Sequence, residues 1–264
     1  MVKSVEEQLQ EAHRENDELR RALEDCRSAC RRAEQDLERT REEGRVAHED
    51  MQHLIYAVSH DLRTPLRAIA SYTQLLQQQY ASDPDASELS NFAIDGVREM
   101  NALIEDLLKF SRAGNSPRRT HIGLNSIIQW AKVNVQPVLR ETGGEIIHGD
   151  LPQMYVDESQ FVHLFHQLFT NSLKFRSDAP PRVQVMAKET DDAHAVCVID
   201  NGIGIEQEHL ETIFQPFKRL RGDIPGHGLG LPICRKIVGA HGGRIWAESG
   251  GKGQGASFRF TVPF

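Results

Sequence analysis

A 4-3 apolar repeat runs from residue 5 to about residue 58 and constrains the chain more than any other feature. Leu9, Asn16, Leu23, Cys30, Leu37, Gly44, Met51 and Val58 fall on one seam position, a. Val5, Ala12, Leu19, Cys26, Ala33, Thr40, Ala47 and Leu54 fall on the other, d. A repeat this long commits the segment to one extended helix whose seam faces another helix. Asn16 at a is a register device of two-stranded coils, and Glu15–Arg20 and Asp36–Arg41 are opposite-sign g-to-e pairs, so the expectation is a parallel dimeric coil over residues 1–50. The seam weakens at Cys26–Ala33 and Thr40–Gly44, and a single amphipathic helix on a globular body is the competing reading.

The phase changes at Ser59-His60-Asp61-Leu62-Arg63-Thr64-Pro65-Leu66. The apolar series steps Leu54, Val58, Leu62, Leu66, Ile69, and the inserted step of four is a stutter that locally unwinds a supercoil. His60 lies about 200° round the helix from Val58, so it faces outward while Val58 and Leu62 face in. An imidazole is partly unprotonated near neutral pH, which suits it to accept a phosphoryl group. It needs a neighbour to hold its tautomer, and Asp61 is the candidate, although adjacent helix positions do not normally face each other. Thr64, at i+4, shares the face of His60. Pro65 opposes the carbonyl of Asp61 and predicts a bend. On these residues alone the plainer reading is a surface histidine in a kinked helix.

The helix is expected to run to about Tyr80, with a turn at Ala81–Asp85. Leu89, Phe92, Ala93, Val97, Met100, Leu103, Ile104, Leu107 and Phe110 mark a second amphipathic helix. The short connection implies an antiparallel hairpin over 51–113, and two hairpins make a four-helix bundle. Residues 114–120 read as a linker rich in Gly, Ser, Pro and Arg. Residues 121–264 are mixed. Helices are expected at Leu124–Glu141, Ser159–Phe175 and Leu229–Ala240, with strands at Arg182–Lys188, Ala193–Ile199, Gly243–Glu248 and Ala256–Val262. The fold class is therefore α plus α/β, its C-terminal part a sandwich with one sheet covered on one face.

Two glycine clusters in this part suit a nucleotide. Asp200-Asn201-Gly202-Ile203-Gly204-Ile205 ends a strand with an acid, an acceptor for an adenine amine, and glycines that allow close backbone approach. Gly226-His227-Gly228-Leu229-Gly230-Leu231 opens a helix and offers backbone N–H groups to phosphate, with Pro232 tolerated in the first turn. Ile213–Leu220 is an aromatic and basic segment fit for a lid, in which Arg219 is the candidate phosphate contact. Asn171 and Lys174 share a helix face; an amide oxygen suits Mg2+ and a lysine suits phosphate. Gly251-Lys252-Gly253-Gln254-Gly255 has similar composition and reads as a strand-to-strand turn. There is no P-loop and no Rossmann fingerprint.

Other classes are excluded or disfavoured. A net charge of -7 argues against general nucleic-acid binding. No window approaches the roughly 18 apolar residues of a membrane span, and no signal-peptide pattern is present. Cys26, Cys30, Cys197 and Cys234 show neither CxxC spacing nor histidine partners, so reduced thiols in a cytoplasmic protein are expected and no Cys/His metal site.

Taken in order, these motifs resemble the sensor histidine kinases of two-component signalling over nearly the whole chain. Ser59–Leu66 resembles the H box, Gln167–Phe175 the N box, Asp200–Ile205 the G1 box, Phe214–Leu220 the F box and Gly226–Gly230 the G2 box. The stretches at residues 56–63 and 171–176 are most similar to kinases behind phytochrome and other PAS or GAF sensors. The resemblance implies a homodimer that autophosphorylates His60 with ATP and Mg2+ and passes the group to an aspartate on a response regulator receiver domain. Asp61 is implied as base or orienting acid, and Thr64 as the residue placing water for the reverse, phosphatase reaction. Asn171 is implied at the metal, Lys174 at a phosphate, Asp200 at the adenine amine, and Gly202, Gly204, Gly226, Gly228 and Gly230 around the pocket and lid hinges. An upstream sensor module, absent from this chain, is expected to feed the coil. Gln167 stands where the N box usually begins with asparagine, His227 replaces a common threonine, Pro232 a common alanine, and Arg221–Pro225 is short for a lid. The competing classes are an ATPase of the chaperone or topoisomerase type, which lacks an H box, and a catalytically silent dimerisation scaffold.

Overall fold

The structure, a computed structural model, describes residues 5–222 and 224–264. They form two compact units, one ending at Ala57 and one starting at Val58. Helix α1 spans Val5–Gln79 and includes Pro65, so the helix continues through the proline instead of breaking there. Within the first unit Leu23, Leu37, Met51 and Leu54 lie exposed on this chain, as seam residues without a covering element do. The side chains of Val5, Leu9, Ala12, Leu19 and Ala47, and of Glu15 and Arg41 in the two charge pairs, lie outside the described residues. Exposed i,i+3 and i,i+4 pairs, Arg45 with Glu42 and Glu49 and Arg39 with Glu43, support the helix locally.

Helix α2, Pro84–Arg112, starts where Asp83 accepts hydrogen bonds from the N–H groups of Asp85 and Ala86, with proline in the first turn. It packs Ile94, Val97, Ile104 and Leu108 away from water, while Ser59 and Leu66 are buried on α1. Arg63 pairs with Glu105 and Gln77 Nε2 donates to Asn91 across the hairpin. Val58 and Leu62, expected to face inward, are 47% and 42% exposed on the single chain, on the face a second helix would have to cover. A two-helix hairpin covers only one side of each helix. The heptad face of α1, continued by Ile69 and Leu76, and Leu89, Phe92 and Met100 on α2 stay open.

The α/β part holds a small antiparallel pair, β1 (Thr120–Gly123) with β3 (Gln153–Val156), and a five-stranded sheet. The sheet comprises β2 (Glu145–His148), β4 (Arg182–Glu189), β5 (Ala193–Asp200), β6 (Ile245–Glu248) and β7 (Ala256–Pro263), in the order β2-β4-β5-β7-β6. Only β2 and β4 run parallel. Alternation on β7 sends Ala256, Phe258, Phe260 and Val262 inward and leaves Arg259 on the other face, where it pairs with Glu248. Helices α3 (Leu124–Thr142), α4 (Glu158–Lys174) and α5 (Gly230–Ala240) bury against the apolar side.

Phe161, Phe165 and Phe169 sit one turn apart on α4 and are fully buried, each worth about 3–5 kcal/mol against truncation to alanine. Helix α4 is started by Asp157, whose carboxylate accepts from Gln160 N–H, Ser159 Oγ and Arg118 N–H. Burial alone raises the pKa of Asp157, but these hydrogen bonds and nearby His241 outweigh it and hold the carboxyl below its usual range. Buried His241 joins α4 to α5: its Nδ1 donates to Ile237 O at 2.8 Å and its Nε2 accepts from Asp157 N–H at 3.0 Å.

Candidate functional site

Between α4, the end of β5 and the segment before α5 lies a cavity of about 930 Å³. Its floor is set by Asp200 at the end of β5. One carboxylate oxygen accepts from Gly202 N–H at 2.9 Å and Ala256 N–H at 3.1 Å, and the other from Ser172 Oγ at 3.3 Å. Burial pushes the Asp200 pKa up and these three donors oppose the shift. A side chain at 202 would strike the carbonyl of Phe175, and one at 204, where φ is +74°, would strike the carbonyl of Gly251. The Gly251–Gly255 stretch joins β6 to β7 as expected, but it also closes on the site. Gly253 N–H donates to Ile203 O at 2.6 Å, Gly255 N–H donates to Gly202 O at 3.1 Å, and Lys252 and Gly253 line the cavity.

Asn171 and Lys174 both line the cavity from α4. Lys174 Nζ lies against Gly226, in the space a Cβ would take. Burial, then Arg219, pulls its pKa down, and Asp106 opposes. Helix α5 begins at Gly230 with no side-chain cap on Leu229, leaving its first N–H groups to the cavity. Gly226, Gly228 and Gly230 line the same wall. Arg219 also lines the cavity, but its Nη2 donates to Gly222 O at 2.8 Å and Ile224 O at 2.9 Å. It therefore ties the short lid to itself. Gln167 points its amide oxygen at Gly230. Its Nε2 is 3.4 Å from Nε2 of His163, a ring that burial, then His166 and Lys109, hold down to about 4.

The acidic floor, glycine cradle, free helix N-terminus and lysine fit an adenine nucleotide: acceptor for the amine, backbone approach for the ring, positive ends for phosphate. Asn171 fits as one oxygen ligand of Mg2+. Among the described residues, the carboxylates of Glu206 and Glu208 and the ring of His209 also approach within 4.8 Å, on an exposed turn, and carry no assignment.

His60 and Asp61 lie on the hairpin and do not line this cavity. Both side chains are exposed, 69% and 82%, and His60 Nδ1 meets Asp61 Oδ1 at 3.1 Å. With the Nδ1 proton donated to Asp61, Nε2 keeps its lone pair toward solvent. Adjacent helix positions do meet here, through this one contact. Thr64, one turn on, is exposed as well. Asp106 and Lys109 of α2, which belong to no sequence motif, also line the cavity. Asp106 Oδ2 is 2.8 Å from Nδ1 of His227.

The architecture joins a helical hairpin that exposes a histidine to a one-sided sheet that carries the cavity, and each part matches a known family. Residues 50–116 match the family described as His Kinase A (phospho-acceptor) domain, and residues 156–264 match the Histidine kinase-, DNA gyrase B-, and HSP90-like ATPase. The chain belongs to the sensor histidine kinases of two-component signalling, of which it carries the transmitter portion. It is 36% identical over 219 residues to "Phytochrome-like protein Cph1" of Synechocystis sp., covering 81% of this chain and 29% of that protein. The chain thus spans under a third of the length of the first curated relatives it matches. Among solved structures it is similar to full-length ShkA in complex with AMPPNP, with a TM-score of 0.63, 25% identity, 80% of this chain and 46% of that one. It shares its fold with the histidine kinase ThkA in complex with response regulator protein TrrA, with a TM-score of 0.56, 21% identity, 80% of this chain and 61% of that one. No helix among the described residues is long and apolar enough to cross a membrane.

Proposed function

We propose that the chain transfers the γ-phosphoryl group of ATP to Nε2 of His60 and then to an aspartate of a response regulator. The observation that carries this reading is the His60–Asp61 contact on an exposed helix face in a chain that also holds the nucleotide-shaped cavity. Asp61 fixes the proton on Nδ1 and aims the Nε2 lone pair outward. Nε2 attacks phosphorus in line, the bond from phosphorus to the bridging β,γ-oxygen breaks, and ADP leaves; the Nδ1 proton stays shared with Asp61. Lys174 and the N-terminus of α5 hold the phosphates, Asp200 the adenine amine, and Asn171 a Mg2+ ion. When bound, that ion neutralises phosphate charge. Gly202, Gly204, Gly226, Gly228 and Gly230 keep the backbone close to the nucleotide, and Arg219 shapes the lid.

The domains follow: a coil over 1–50, the hairpin over 51–113, a linker over 114–120 and the ATP-binding part over 121–264. A second copy covers the open hairpin face and the coil seam, and the regulator docks beside His60, the partner class named for the ThkA structure. Thr64 supports the reverse reaction by placing water. The test is a label from γ-phosphate ATP on the purified chain. It should be acid-labile, and His60→Gln should abolish it while nucleotide binding persists. A label retained by that variant would sink the assignment.

A further inference from the structure

The contact between His227 and Asp106 joins two elements 121 residues apart, and neither position belongs to the hairpin's own packing or to the sheet. His227 sits in the glycine segment before α5 with its side chain 15% exposed, and its Nδ1 is 2.8 Å from Asp106 Oδ2. Asp106 is on α2, with Lys109 Nζ 3.6 Å from its other oxygen. Both α2 residues line the cavity shared by Lys174, the cation placed to meet phosphate, and Arg219, which is tied to the lid carbonyls. A carboxylate therefore faces the region where a polyphosphate would bring several negative charges. Further along α2 a second attachment holds. Lys236 of α5 donates to Phe110 O at 3.0 Å and Ser111 O at 3.4 Å, and lies 4.8 Å over the Phe110 ring. A side chain at Gly114, where φ is +78°, would strike the carbonyl of Lys236, and Ser116 follows at φ 36°. The C-terminal end of α2 is thus pinned, and a turn earlier, among the described residues, the His227–Asp106 contact ties the segment before α5 to it.

We propose that Asp106 and His227 form a latch holding the lid segment against α2, and that the phosphates of a nucleoside triphosphate open it. This rests on the reading of the cavity as the ATP site. Phosphate held by Lys174 and the N-terminus of α5 repels Asp106, while the same helix start carries His227 with it as the segment closes on the ligand. Opening leaves Lys236 and the Gly114–Ser116 turn as the pivot about which the nucleotide part moves relative to the hairpin. No covalent step is involved.

A latch that must open lowers apparent affinity by the fraction of chains already open. Calorimetry of the full chain with AMPPNP and with ADP tests it, using Asp106→Ala, His227→Ala and the double variant. Each single variant should bind AMPPNP about fivefold more tightly, ADP should change less, and the double should gain little beyond the larger single. Unchanged AMPPNP affinity in either single variant, or gains that multiply in the double, would overturn the latch. Amide exchange of wild type over residues 104–110 is independent of variant folding: AMPPNP should raise it and ADP should not. No rise would also overturn the latch. A wild-type chain that binds no nucleotide would instead overturn the site reading beneath it.

Discussion

Asp200→Asn separates what the carboxylate does for the fold from what it does for a ligand. Asparagine keeps the shape and an oxygen for the N–H groups of Gly202 and Ala256. Its NH2 replaces the oxygen that now accepts from Ser172, and the hydroxyl can turn to accept. The fold loses no hydrogen bond. It also sheds a buried charge, which burial now penalises enough to raise the pKa of Asp200. An adenine amine fares differently. It loses a charged acceptor, worth about 1.5–3 kcal/mol, and meets a second donor, leaving a buried polar group unpaired at about 1–3 kcal/mol. Together these amount to roughly two to four orders of magnitude in affinity. The assay is calorimetric titration with AMPPNP beside a thermal melt of the free chain. Binding should fall by at least about a hundredfold while the melting temperature holds or rises. A folded variant binding within about threefold of wild type would refute the role of Asp200. A large drop in melting temperature would refute the claim that its charge is a structural cost.

Thr64→Ala should leave autophosphorylation intact and slow dephosphorylation of a phosphorylated regulator; equal rates would remove Thr64 from that reaction. The uncovered Leu62, Ile69, Leu76 and Phe92 should bring two chains together. Sedimentation as a monomer at micromolar concentration would exclude the bundle. His163 ties acid stability to the site. Its folded-state pKa lies near 4 against an ordinary 6.5, so below pH 6.5 the unfolded chain takes up a proton that the folded chain refuses. Stability is therefore full above 6.5 and falls by up to about 3 kcal/mol as the pH drops to 4. His166 and His241, also depressed by burial, add to that slope, and Asp200, whose pKa is raised, opposes it. His163→Gln should flatten the fall in denaturant midpoint between pH 6.5 and 4.5, and an unchanged slope would refute the assignment.

The parts legible in the sequence were those whose signal is local. Helical periodicity placed α2 to α5 within a few residues, and alternation placed β4, β5, β6 and β7. The four-residue strands β1, β2 and β3 are too short to show alternation and were not expected. Asp200 and the two glycine clusters were legible because a backbone that must approach a ligand or another strand excludes a Cβ. The same rule marked Gly251–Gly255, yet a turn reading explained those glycines equally well. What shows their second duty is the carbonyl of Gly251 beside Gly204, a contact across 47 residues. Asp106 and Lys109 carried no signal, since an acid and a base three residues apart on a helix read as an ordinary solvated pair. Only the docking of α2 turns them toward a cavity. Pro65 does not end the helix, which runs on to Gln79 as its apolar periodicity predicts.

The two halves of the chemistry stand apart in a way that gives the hairpin a double duty. Transfer requires His60 Nε2 within about 3–3.5 Å of phosphorus, in line with the leaving oxygen. In the arrangement described, the hairpin presents Asp106 and Lys109 to the cavity, and His60 is not among the residues that line it. For transfer within one chain, the side of α2 that walls the cavity has to give way before His60 can reach the ligand. The attachments are unequal in a manner that suits this. Lys236 holds two carbonyls at the end of α2, where a cation also complements the helix dipole. His227 holds Asp106 by one hydrogen bond, at the place where phosphate charge would arrive. On the latch proposed above, a ligand binding there would act on the weaker attachment and leave the stronger one intact, so that the triphosphate proposed to supply the phosphoryl group would also free the hairpin surface that stands in its way.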